Sequence, residues 1–315
     1  MAWDMLIRNA TVFDGTGAPP VELDLGVQGD RIVFMGQAST QRARVDLDAR
    51  GLVVSPGFID IHTHSDMSLL IDGRGQSKVS QGVTTDVTGN CGFSPFPINP
   101  AHLALHLDLL AGIGDDPAPL AWTDLEGYRQ TAEARGIALN IAPLVGHGAL
   151  RIAAMGVRSE AATQTEMQAM CDSLSLLLDQ GAFGMTTGLT YVPSRYAPTA
   201  ELLSLCQVLA ARQRLYATHA RDQDLEGGQG VALVAAAALQ RDGRLRVPAA
   251  QVLQFRMGEG DDGAGNEGDG GGRPVEENED GPEDPMVHAK PRPRAVCPHW
   301  RGRIPALTAR ESWGH

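Results

Sequence analysis

Two histidines stand one residue apart in Asp60-Ile61-His62-Thr63-His64, at the end of an apolar run from Gly57 that reads as a buried strand. Residues i and i+2 of a strand share a face. His62 and His64 therefore project together from its C-terminal end, where parallel α/β folds keep their active sites. Two imidazoles on one face are a ready metal pair, although a bare HxH also occurs as two unrelated histidines at a strand end. Cys91 lies in Thr88-Gly89-Asn90-Cys91-Gly92, a polar, glycine-rich loop just past a second strand. Cys171 and Cys206 lie instead on apolar helix faces and read as small buried hydrophobes. His219, in Thr218-His219-Ala220-Arg221-Asp222, ends a fifth strand. Three strand ends thus supply His, His, Cys and His, a donor set suited to Zn²⁺ or a similar borderline metal.

These residues need a scaffold that brings strand ends together. Residues 5–54 alternate apolar and polar with Gly, Asp and Pro turns between, which predicts a small β-sandwich over residues 1–55. From Pro56 strands alternate with capped helices, the pattern of βα units on a parallel sheet. Strands are expected over 57–62, 82–87, 137–145, 182–187 and 215–219. Capping boxes at Thr123–Glu126 and Thr163–Glu166 open two helices, and Thr199 caps a third over 201–211. Residues 56–240 are thus expected to form a unit of α/β type built on a parallel sheet. A helix fits 231–239, but no convincing strand follows it. Eight glycines fall between Gly258 and Gly272 with almost no aliphatic residue. Such a segment cannot bury enough surface to offset its ordering entropy. The third segment, 241–315, is expected to be disordered, and everything after about Gln251 with it.

The 315 residues, 43% of them hydrophobic, suffice for a real core. The net charge of −12 disfavours nucleic acid or an anionic membrane as a partner. It is unevenly spread: Gly258 to Asp284 holds eleven acids and one Arg, leaving about −2 for the rest. No apolar run approaches the roughly 18 residues of a membrane span. The start lacks the basic and apolar regions of a secretory signal, so a cytoplasmic location is expected. Four cysteines without a CxxC pair do not form a disulfide framework. The basic residues are 24 Arg and two Lys, with abundant Ala and Gly, the mark of a GC-rich genome. A GxGxxG match at Gly263–Gly268 follows no strand and reads as chance.

The segments Gly57–Asp66, Gly82-Val83-Thr84-Thr85, Gly89–Ser94, Gly146-His147-Gly148-Ala149-Leu150-Arg151, Gly188-Leu189-Thr190-Tyr191 and Thr218–Asp222 resemble the N-acyl-D-amino-acid deacylase (D-aminoacylase) branch of the amidohydrolase superfamily. The resemblance runs from about Leu6 to Asp222. It implies a β-sandwich beside a metal-bearing (β/α)₈ barrel of TIM type, incomplete over residues 56–240, with one or two Zn²⁺ held by His62, His64, Cys91 and His219. By the same resemblance Cys91 and His219 would hold the tighter metal, and His62 with His64 would face a weaker site. The implied activity is hydrolysis of the amide bond of N-acyl-D-amino acids by metal-activated water. Tyr191 would lie near the substrate's acyl or carboxylate group; a packing role is the alternative. Asp66 would orient a ligand histidine or cap the next helix, and His147 reads as a structural turn histidine. Dihydroorotase-like or hydantoinase-like cyclic amidases are the runner-up within the superfamily. Those sites usually employ a carboxylated Lys, and no Lys stands at a matching strand end.

The chain departs from the branch after Asp222. A further ligand His in an SHxK-like setting and a catalytic Asp at the last strand end are expected, and neither is recognisable. His288, His299 and His315 follow no strand. A shifted reading frame in GC-rich DNA would produce such a sequence. A non-catalytic remnant or a binding protein with a real acidic tail is the competing class.

Overall fold

A computed structural model describes residues 2–38, 40–113 and 120–221, and the backbone of Val252–Phe255. The helix expected over 231–239, the glycine-rich acidic segment, Cys297 and the three C-terminal histidines lie outside the described residues.

The first strands are β1 (Trp3–Val12), β2 (Val21–Gln28), β3 (Arg31–Gly36), β4 (Ala43–Asp48) and β5 (Val53–Val54). They form one five-stranded sheet in the order β3-β2-β1-β4, with β5 also on β1. β1 pairs antiparallel with β2 and parallel with β4 and β5. Its period-two pattern turns Ala10 and Val12 against Leu25 and Ala49 in a small core. Asp24, buried beneath β1, accepts the Asn9 N–H at 2.8 Å and the Ala38 N–H at 2.7 Å. It thereby satisfies the Asn9 amide, which the register shift in β1 leaves off the ladder, and the Ala38 amide just past β3.

The second sheet holds the strands expected from the βα pattern: β6 (Phe58–Asp60), β7 (Val83–Thr88), β8 (Asn140–Gly146), β9 (Gly184–Gly188) and β10 (Leu215–His219). A sixth strand, β11 (Val252–Phe255), pairs parallel with β10 from Tyr216↔Val252 to His219↔Phe255. This corrects the expectation that no convincing strand follows the stretch 231–239. Four residues are too few to show a period, and the parallel edge of β10 supplies what the sequence pattern lacks. The order β11-β10-β9-β8-β7-β6 makes a half-barrel that among the described residues stays open at β6. Phe58, Ile59 and Ile61 are exposed along that edge.

The helices are α1 (Ser68–Ile71), α2 (Gln76–Val79), α3 (Leu103–Ala111), α4 (Leu125–Arg135), α5 (His147–Met155), α6 (Gln164–Asp179) and α7 (Thr199–Ala211). α6 opens on the complete capping box expected at Thr163 and Glu166. It buries Met170, Leu174, Leu177 and Leu178, one face at helical spacing. The box expected at Thr123 is corrected: α4 begins one residue later, and Asp124, in extended conformation, accepts the Gly127 N–H at 3.0 Å. Thr199 is likewise corrected from cap to first turn, with Pro198 at the cap position.

His147 is structural, as its setting predicted. It is wholly buried at the start of α5, with Nδ1 2.9 Å from Ser194 Oγ and Nε2 2.9 Å from Glu201 Oε1. Arg151, one turn further along α5, places Nε 3.1 Å from the same Glu201 oxygen and donates to Pro193 O at 2.7 Å. Two residues of one helix face thus hold α7 and the segment after Tyr191. Glu201 is 3% exposed and Arg151 0%, so removing the carboxylate strands a guanidinium without a counter-charge. Glu201→Ala is expected to cost about 3–5 kcal/mol in denaturant unfolding, with Glu201→Gln retaining part of it through its hydrogen bonds.

Candidate metal centre

The parallel register sets the strand ends in one rim: Asp60 lies opposite Asp86, Thr88 opposite Pro143, Gly146 opposite Thr186 and Gly188 opposite His219. The chain leaves β6 at Asp60, whose Oδ1 accepts the His62 N–H at 3.1 Å. That turn aims His62 and His64 along the rim, their rings 5.6 Å apart and nearly perpendicular.

Cys91 reaches them through a tight 3-10 turn, Asn90–Gly92. Gly89 has φ +79°, and a Cβ there would stand 2.0 Å from Leu144 O, so only glycine fits. Cys91 itself is left-handed at φ 54°, an uncommon state for a residue with a Cβ and one that clusters at functional sites. Both ends of the turn are tied to Thr186 of β9. Its hydroxyl accepts the Gly92 N–H at 3.0 Å and donates to Gly89 O. Asp66 Oδ1 accepts the Gly89 N–H at 2.7 Å, which joins the histidine segment to the cysteine turn. The cap position of α1 is Met67, without a side-chain cap.

Cys91 Sγ consequently lies 3.4 Å from His62 Nε2, and one ligand atom from each of His62, His64 and Cys91 falls within 4.8 Å of the others. His219, 7% exposed at the end of β10, lies outside that trio. It is near enough for its charge to lower His62. The structure therefore gathers three of the four expected ligands and sets the fourth beside them, with Cys91 grouped with the histidine pair.

The electrostatics fit a cation. Burial pushes the His62 imidazole down, against the pull of Asp60, and the His219 charge lowers it further. Burial also lowers His64, with His62 adding to it, and lowers His219. Neutral imidazoles are the metal-binding form. Burial pushes the Cys91 thiol up to about 11, so a thiolate there requires a nearby positive charge. Nδ1 of His64 is buried without a hydrogen-bond partner. One sulfur and two imidazole nitrogens, one of them on a ring with an unsatisfied buried nitrogen, fit Zn²⁺.

Tyr191, 37% exposed, forms the outer wall. Its ring packs edge-on to His219 and Phe93 at 5.2 Å each, and Phe93 packs on His64 at 5.9 Å. Phe93 was legible only as part of the GNCGFS run. The sequence also gave no role to Lys78, whose Nζ contacts Asp60 and lies 2.9 Å from Thr63 Oγ1. Its rarity, one of two lysines among 26 basic residues, was the available signal. Among the described residues no helix is long and apolar enough to cross a membrane.

Residues 47–270 match the profile of the Amidohydrolase family. A D-aminoacylase and an N-acyl-D-aspartate deacylase of Alcaligenes xylosoxydans xylosoxydans are each 42% identical to the chain over 221 residues. Those alignments cover 70% of this chain and 45% and 44% of the two relatives. Among solved structures, N-acyl-D-glutamate deacylase of Bordetella bronchiseptica, complexed with zinc and a phosphonate inhibitor, matches with a TM-score of 0.68 at 38% identity. That match covers 76% of this chain and 49% of the other. The chain spans about half the length of the relatives it matches. A half-barrel of parallel strands, an HxH pair at the end of its first strand and a profile match over more than half the sequence agree: the chain belongs to the amidohydrolase family.

Proposed function

We propose that this chain is a metal-dependent N-acyl-D-amino-acid deacylase, a hydrolase of carbon–nitrogen bonds other than peptide bonds. The observation that carries the reading is the approach of His62, His64 and Cys91 at the strand ends. Relatives named for D-aminoacylase and for D-aspartate and D-glutamate deacylation support it. His62, His64, Cys91 and His219 are the proposed ligands of one or two Zn²⁺. When bound, the metal supplies Lewis acidity toward the scissile carbonyl and lowers the pKa of attacking water.

The chain's own residues do the rest. Burial keeps the three imidazoles neutral and able to donate lone pairs. Phe93 and Tyr191 wall the site against bulk water on one side, and the half-exposed Tyr191 ring, with its hydroxyl, is the proposed contact for the substrate's acyl or carboxylate group. The Asp that would move the proton to the leaving amine is not identified among the described residues. The proposed partner is a small N-acyl amino acid, not nucleic acid or membrane, and the proposed location is the cytoplasm. The same reading divides the chain near residue 55 into a β module and the barrel segment.

The test uses the purified full chain loaded with Zn²⁺ and N-acetylated D- and L-amino acids, with liberated amine as readout. Amine release selective for D-substrates, lost at least about 100-fold in Cys91→Ala together with bound zinc, is expected. Zinc binding without hydrolysis above the Cys91→Ala background would overturn the enzymatic reading in favour of a non-catalytic metal-binding chain.

A further inference from the structure

Lys78 lies on α2, outside the proposed ligand set, yet its Nζ converges on the residues that interleave with the two histidines. It contacts Asp60 Oδ2, lies 2.9 Å from Thr63 Oγ1 and stands 3.8 Å from Asp86 Oδ1. Asp60 uses its other oxygen to hold the His62 N–H, and Thr63 sits between His62 and His64. Asp86, wholly buried on β7, accepts the Ser65 hydroxyl at 2.6 Å, and Ser65 follows His64 directly. Each non-ligand polar side chain from Asp60 to Ser65 therefore ends, directly or through Asp86, on one ammonium. The carbonyl of Thr63 faces Asn90 Nδ2 at 3.3 Å, which extends the tie to the cysteine turn.

We propose that Lys78 is a positioning residue for the metal centre, fixing the histidine pair by holding Asp60 and Thr63 against the buried Asp86. The inference rests on the metal-site reading given above. A purely structural lysine on an exposed four-residue helix would need no such convergence. The geometry suits a compact cation: one nitrogen hydrogen-bonds Asp60 and Thr63 and lies 3.8 Å from Asp86 as an ion pair, an arrangement that a planar guanidinium does not reproduce. Without it two carboxylates face each other beside the histidines, and the His62 turn loses its anchor.

Partners that orient ligating histidines typically change metal affinity about 10–100-fold when removed, and that range is expected for Lys78→Met. The experiment measures the Zn²⁺ dissociation constant of the full chain by chelator competition, for wild type, Lys78→Met, Asp60→Asn and the double variant. The metal-free thermal midpoint and the Co²⁺ absorption spectrum are recorded beside it. If Lys78 acts through Asp60, both single variants weaken zinc, the double variant is no weaker than the worse single one, and the Co²⁺ bands shift. Thr63→Val, which removes one contact of Lys78, weakens zinc by a smaller factor and serves where Lys78→Met does not fold. Wild-type affinity and an unaltered Co²⁺ spectrum in Lys78→Met, or in Thr63→Val where that variant substitutes for it, would overturn the role of Lys78. A wild-type chain that binds no zinc would overturn the metal site itself, a separate result.

Discussion

The left-handed turn from Gly89 to Gly92 is the constraint on which the site depends. A Cβ at Gly89 would collide with Leu144 O, and one at Gly188 would stand 2.0 Å from Cys91 O. Two glycines, one opening the turn and one ending β9, thus let its backbone sink into the rim, and Thr186 locks it by hydrogen bonds to both ends. Only with the turn at that depth does the Cys91 sulfur reach His62. The positive φ of Cys91 is conformational cost concentrated at the residue with the sharpest chemistry.

Burial then sets the chemistry. The same shielding that keeps the imidazoles neutral raises the thiol, so the cluster is poor at holding a charge of its own and well suited to receive one. Around it, oriented groups limit what the ligands can do: Asp60 holds the His62 amide, Asp66 ties the far end of the histidine segment to the Gly89 amide of the cysteine turn, and Asp86 with Lys78 holds the segment's side chains. Behind α5, the Glu201, His147 and Arg151 group fixes the segment that follows Tyr191. The barrel half thus carries two polar clusters with different tasks, one beneath the ligands and one beneath the outer wall.

Much of this was legible in the sequence wherever the cause is local. β10 runs over Leu215–His219 with the bounds expected of it, and Thr163 with Glu166 forms the box its spacing describes. The HxH spacing was legible, but the strand expected to carry it ends at Asp60, and the turn closed by the Asp60 carboxylate, not strand periodicity, brings the two rings together. What was not legible arises between segments. α4 starts at Leu125 because the Asp124 carboxylate outcompetes the Thr123 hydroxyl for the free amides of the first turn, a one-residue choice that spacing does not decide. Lys78 meets Asp60 and Thr63 only because a short helix falls back against the end of β6, over separations of 18 and 15 residues. The approach of Cys91 to His62 depends on how deeply the turn sits. β11 has no period to read and is defined by its partner.

The most direct measurement is X-ray absorption at the zinc edge of the zinc-loaded full chain. A centre built on Cys91 and the histidine pair predicts one sulfur at about 2.3 Å and imidazole nitrogens at about 2.0–2.1 Å, with the sulfur shell absent in Cys91→Ala. A wild-type first shell of nitrogen and oxygen alone would contradict it.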